Sequence, residues 1–378
     1  MRVGAASPRT RARDGSLKDV VKTIYQNPGD FQDLGMDAEN RLTASIPLVL
    51  IQSAHKSKAL TVPPQKFIAI VDDLQEKMLL VRAWKKLAGN ELCEAHGIKP
   101  KDLGNAGMFL ISVASILDNM QKDKFFNVTG KRNFVGLQML DIAATMGDPD
   151  STLAMYRWFT RAMAATPNPD EQLRQRLADS SELVKRLARE KNPSAVYEVA
   201  KMLEKRGRYA EAKETYIQAG DLGKRNGYAH GGRIINAVEK NVKLAEEIWR
   251  IGAQKYDNAR CYSYLANLLK EDHPDYERFM TKAAASGIEN AAYNLGLFWK
   301  THKKNLEMAK EWFIVAANST DKSVAYAAFQ LKEILKTQNK LDDFGKMVTL
   351  KLKQHQELQE VEAQVRRDRR AQKKALEA

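Results

Sequence analysis

The residues able to do chemistry are few and scattered. Six histidines and two cysteines occur in 378 residues. Cys93 and His96 stand at C-x-x-H spacing, which is half of a zinc site, but a structural zinc takes four such ligands and no second pair follows. Ala229-His230-Gly231-Gly232 has the composition of an oxyanion or phosphate loop. Such loops follow a strand, whereas this run falls in a helical pattern, where glycines serve close packing. Asp272, Asp275 and Glu277 gather carboxylates at a turn between helices, and N-capping by Asp275 is the expected role there. His230 and His302 read as ordinary surface or repeat-face residues. The expectation is a chain that is not an enzyme and holds no metal and no cofactor.

The elements that would position any binding residues are helices. Lys282 to Gly296 reads KAAASGIENAAYNLG: a helix ending in small residues, a glycine exit, and a second helix restarting at Ala291, Tyr293 and Leu295. Adjacent small residues recur at Ala143-Ala144, Ala219-Gly220, Gly252-Ala253, Ala283-Ala284 and Ala316-Ala317, the last four pairs spaced by 33, 31 and 33. Seven residues earlier come Ala212, Ala245, Tyr276 and Ala309, with Tyr216, Trp249, Met280 and Trp312-Phe313 between. Glycine follows three of the pairs, at Gly147, Gly223 and Gly287. Large, small and turn residues in phase predict stacked helix pairs.

The stretch from Phe279 to Gly296 resembles the Sel-one-like repeat, a relative of the tetratricopeptide repeat, with pattern W-x-x-K-A-A-x-x-G-x-x-x-A-x-Y-x-L-G. Lys282, Ala283, Ala284, Gly287, Ala291, Tyr293, Leu295 and Gly296 sit in register, and Phe279 stands where the family places Trp. The resemblance implies an all-α fold, a right-handed α-solenoid of antiparallel helix pairs acting as a protein-binding scaffold. A secreted branch of that family carries a cysteine pair in every repeat. Here Cys93 and Cys261 fall in different segments, which excludes a disulfide framework, and Cys261 reads as a buried small hydrophobe.

Five segments follow from the pattern. Residues 1–17 hold four arginines and no acid before Asp14, and read either as a basic tail or as a transit-sequence remnant. An N-terminal helical region covers 18–106; within it 18–63 reads as irregular, Pro64 to His96 as a long helix, and Gly97 to Gly107 as a loop. Divergent repeats occupy 107–190 and regular ones 191–338. A capping helix and basic tail fill 339–378, ending in Arg366, Arg367, Arg369, Arg370, Lys373 and Lys374.

The net charge is +14, and 1–24 with 351–378 supply about half of it. Such charge favours anionic partners without specifying RNA, a ribosome or a membrane surface. No apolar run reaches the length of a membrane span. The leading expectation is a non-enzymatic adaptor for protein clients or complex subunits, a mitochondrial assembly factor at the matrix side. Rival readings are an RNA- or ribosome-associated repeat protein of organellar gene expression and an endoplasmic-reticulum or cytoplasmic adaptor. Gly97 to Asp102 resembles the end of a pentatricopeptide repeat, but occurs once. For partner binding the candidates are Tyr262, Asn294 and Trp299, on first helices that would line a groove.

Overall fold

A computed structural model of the chain describes residues 46, 48–80, 87–120, 126–317 and 323–337. Every regular element among them is a helix, and the chain divides between Met202 and Leu203 into two compact units. The segment 1–17, the expected helix from Leu341 and the basic residues Arg366 to Lys374 lie outside the described residues.

The first unit opens with α1 (Leu48–Lys56), α2 (Pro64–Leu80) and α3 (Leu87–His96). Composition predicts irregular chain over 18–63, yet α1 forms there. Leu50, Ile51 and Ala54 share one side of it and bury against a core that includes Leu60, Val62 and Phe67. Next come α4 (Pro100–Met120) and α5 (Phe126–Thr145). Gly97 to Gly107 is therefore no loop beyond its first residues, because α4 begins at Pro100 and contains both Gly104 and Gly107. A Cβ on Gly107 would lie 2.7 Å from the Gly136 carbonyl oxygen, so the spacing that suggests a loop is that of two helix backbones in contact.

Three further helices, α6 (Pro149–Ala165), α7 (Glu171–Arg189) and α8 (Pro193–Lys205), follow. Each is started by a side-chain acceptor. Asp148 accepts from the Ser151 N–H at 2.8 Å, Asp170 from Leu173 at 2.7 Å and Asn192 from Ala195 at 3.1 Å. Buried Glu198 ties α8 to α6 through Arg157 at 2.7 Å and also pairs with Lys201 at 2.8 Å.

The second unit is built of helix pairs. Its helices are α9 (Tyr209–Asp221), α10 (Gly227–Ile234, continued by a π turn over Ile235–Glu239), α11 (Val242–Tyr256), α12 (Ala259–Leu268), α13 (Pro274–Ala285), α14 (Glu289–Thr301), α15 (Leu306–Ala317) and α16 (Ser323–Thr337). Each packs on the next in sequence, and α10 also meets α12 as α14 meets α16. That pattern of contacts defines an all-α solenoid stack. The small pairs sit on the second helices α9, α11, α13 and α15, all buried, as are Tyr216, Trp249, Met280, Trp312 and Phe313.

Small residues admit the neighbouring helix: a Cβ on Gly252 would come within 2.6 Å of Cys261 Sγ, and one on Gly227, at the start of α10, within 2.4 Å of the Tyr216 carbonyl oxygen. In two of the pairs the carbonyls also accept the capping bonds of the turn. Gly223 N–H reaches Gly220 at 3.1 Å and Lys224 N–H reaches Ala219 at 2.8 Å, while Gly287 and Ile288 repeat the arrangement on Ala284 and Ala283 at 2.9 and 3.1 Å. Gly223 and Gly287 hold φ of 105° and 85°. No glycine follows Gly252-Ala253, so α11 continues to Tyr256 and Asp257 takes the left-handed φ of 48°, which aspartate tolerates.

One expected cap falls elsewhere. Pro274 occupies the first position of α13, which moves the cap back to His273, whose Nδ1 accepts from the Asp275 N–H at 3.1 Å. Asp275 instead pairs with Arg278 at 2.8 Å.

Two glycines separate close approach from turn geometry. Gly227→Ala pushes a Cβ into the α9 backbone and is expected to cost about 1–3 kcal/mol, whereas Gly287→Ala costs the left-handed penalty of about 1–2 kcal/mol. Urea midpoints of the full chain check both, and unchanged midpoints would remove the packing argument.

Candidate functional site

Groups with reactive potential are held in structural roles. The Cys261 thiol is fully buried on α12, and burial pushes it up to about 12. Cys93 is buried as well and raised, first by burial and then by the Asp102 charge. His96, its C-x-x-H partner in sequence, bonds Asp73 through Nε2 at 3.0 Å. Among the described residues no three His, Cys, Asp or Glu side chains gather where they could hold a metal, and no helix is long and apolar enough to cross a membrane. Ala229-His230-Gly231-Gly232 is a packing site: a Cβ on Gly232 would stand 2.4 Å from Trp249 Nε1.

The first helices present a repeated row. Cys261 to Ala266 in α12 and Ala291 to Gly296 in α14 share one burial pattern: two buried residues, two half-buried, two buried. The fourth position is Tyr264 in one and Asn294 in the other. Setting the closing small residue Gly232 of α10 and Ala328 of α16 in the same register adds His230 and Tyr326 to the series. His230 stacks on Tyr216 with ring centroids 5.2 Å apart, and Tyr264 on Trp249 at 4.9 Å. Tyr326 is 65% exposed. The row thus offers hydrogen-bonding and aromatic groups: His230 and Tyr264 seated on the large residue of a repeat, Asn294 half-buried and Tyr326 open to solvent.

An ion-paired cluster stands beside it. Arg233, three residues beyond His230, bonds Glu204 Oε1 at 2.5 Å, and Tyr216 donates its hydroxyl to Glu204 Oε2 at 2.9 Å. Burial raises the Glu204 carboxyl, but the bonds from Arg233 and Tyr216 outweigh it, so Glu204 titrates below its ordinary 4.5.

The three residues singled out from sequence occupy different places. Asn294 lies in the row. Tyr262 is buried two residues before the row position, its hydroxyl donating to Asp257 Oδ1 at 2.9 Å and accepting from Lys282 Nζ at 3.0 Å. Trp299 is half-buried at the far end of α14 and meets Phe298 edge-on at 6.0 Å. His230, Tyr264 and Tyr326 are row members that the sequence reading passed over. The signal available for them was their position two residues before the closing small residue of each first helix.

No protein-family model matches the chain, and no curated protein matches it. Several solved structures are similar to it, two bacterial proteins among them. One is a Sel1 repeat protein of Oxalobacter formigenes, 19% identical, with a TM-score of 0.41 over 61% of this chain and 97% of that one. The other is a protective antigen of uropathogenic Escherichia coli strains with an SLR fold, 18% identical, with a TM-score of 0.37 over 88% of this chain and 82% of that one.

A group whose pKa is depressed by folding contributes stability above its unfolded pKa and loses it as pH falls through the folded value. Glu204→Gln is therefore expected to be less stable than the unsubstituted chain by about 1 kcal/mol at neutral pH. Urea midpoints should converge as pH falls below 4.5; a gap that persists in acid would contradict the ion-pair account.

Proposed function

We propose that the second unit is a protein-interaction scaffold whose partner lies along the first helices, contacting His230, Tyr264, Asn294 and Tyr326. The observation that carries this is the repetition itself: four successive repeats bring one polar or aromatic side chain to the same register, each followed by two buried residues. A row of such groups, one per helix pair, matches an extended or helical protein segment rather than a small molecule held in one pocket. Asn294 supplies an amide able both to donate and to accept, suited to a peptide backbone.

The finer reading is an assembly factor for a multi-subunit complex at the mitochondrial matrix side. Its support is the Arg-rich, acid-poor composition of 1–17 and the basic balance of the chain. Import of the precursor into isolated organelles tests the compartment: a protease-protected product is expected, and none would remove that part. The RNA reading rests on the composition of 1–24 and 351–378, all outside the described residues, and on the single pentatricopeptide-like stretch Gly97 to Asp102.

Half-buried Asn294 and exposed Tyr326 lie outside the buried core and can be truncated with little effect on it. Proximity labelling or affinity capture with the Asn294→Ala/Tyr326→Ala chain is expected to lose the partners that the unsubstituted chain retains, with the same circular dichroism and thermal midpoint. Retention of the full partner set by this variant would overturn the row as the binding surface.

A further inference from the structure

A second site lies away from the row. Between the second helices α11 and α13, with α12 at the back, is a cavity of about 220 Å³. Its cationic wall is Arg250, Arg278 and Lys282; no carboxylate lines it, and Tyr262 and Phe279, both buried, form its aromatic floor. The cations are placed by the aromatics. Arg278 lies over the Phe279 ring with Cζ 5.0 Å from the centroid, and Lys282 Nζ is 4.6 Å from the Tyr262 centroid while bonding its hydroxyl.

We infer that this cavity binds an acidic peptide segment of a protein partner, one Asp or Glu carboxylate meeting Arg250, Arg278 and Lys282 while an adjacent apolar side chain covers Tyr262 and Phe279. Three observations favour that ligand. First, the volume falls below the 300 Å³ or so at which pockets begin to enclose whole small molecules, so it suits one or two side chains of a longer chain. Second, the three cations face a space without a carboxylate, and their present partners sit outside the cavity: Glu246 with Arg250 at 2.6 Å, Asp275 with Arg278 at 2.8 Å and Asp257 with Lys282 at 3.0 Å. All three pairs are largely solvent-exposed. Such pairs contribute little, so exchanging them for a carboxylate that sees three cations at once is easy. Third, the aromatic floor rewards an apolar neighbour, which a bare inorganic anion lacks.

The occupant differs from that of the row, because the cavity selects charge and lies on the second-helix side. A fluorescein-labelled Glu-Asp-Leu-Asp-Glu peptide, titrated with the full chain and followed by anisotropy, is the probe. Arg278→Ala/Lys282→Ala is expected to weaken binding by about tenfold or more, with Arg278→Gln giving a smaller loss; circular dichroism and the thermal midpoint should be unchanged, since both side chains are exposed. The amide peptide Gln-Asn-Leu-Asn-Gln should not bind. Neither Lys243→Ala/Lys270→Ala, on exposed lysines elsewhere in this unit, nor the row variant Asn294→Ala/Tyr326→Ala should change the affinity. Equal loss in either control, equal binding of the amide peptide, or complete displacement by millimolar inorganic phosphate would overturn the proposal. A failure of the row variant to lose partners, with this peptide still bound, would reject the row alone.

Discussion

The approach of one helix backbone to the next across a residue with little or no side chain is the constraint on which the second unit depends. Atoms of Cys261 and of the α9 backbone already stand where Cβ atoms of Gly252 and Gly227 would be. Once two backbones are that close, the large residues Tyr216, Trp249, Met280 and Trp312 have only the space between repeats to occupy, and all four are buried there. At Ala219-Gly220 and Ala283-Ala284 the same small pairs turn their carbonyls toward the capping turn, so helix spacing and chain reversal are set at one place in those repeats.

This economy explains where side chains remain available for binding. Within Cys261 to Ala266 of α12 and Ala291 to Gly296 of α14, four of six residues are committed to burial and the remaining two are half-exposed. A row of polar and aromatic groups is thus a consequence of the packing register. On the other side, the gap left between successive second helices is closed by α12 at its back, and the long cationic side chains of α11 and α13 reach over it.

Much of this was legible in the residues. The small pairs, their spacing and the glycine turns predict stacked helix pairs, because each is a local requirement that a single residue type satisfies. Loop signals were less legible. Gly104 and Gly107 carry the same letter whether they bend a chain or admit a neighbour, and only what faces them, Ser151 and Ala143 for Gly104 and Gly136 for Gly107, distinguishes the two. His273 displaces Asp275 as the cap because proline fixes the first helical position, a rule whose outcome depends on where the helix begins. The row was hidden for another reason: His230, Tyr264, Asn294 and Tyr326 are spaced by 34, 30 and 32 residues and differ in type, so no fixed period or single letter picks them out. Arg250, Arg278 and Lys282 look like any solvated charges until the buried aromatics beneath them are seen.

The closeness of α11 to α12 can be measured directly. In a Gly252→Cys chain the introduced sulfur would stand beside Cys261, and the second native thiol, Cys93, belongs to the other unit. After mild oxidation of the folded chain, peptide mapping is expected to show a disulfide joining position 252 to Cys261, leaving Cys93 free. Recovery of both thiols free, or a link to Cys93 instead, would contradict the close approach on which the account rests.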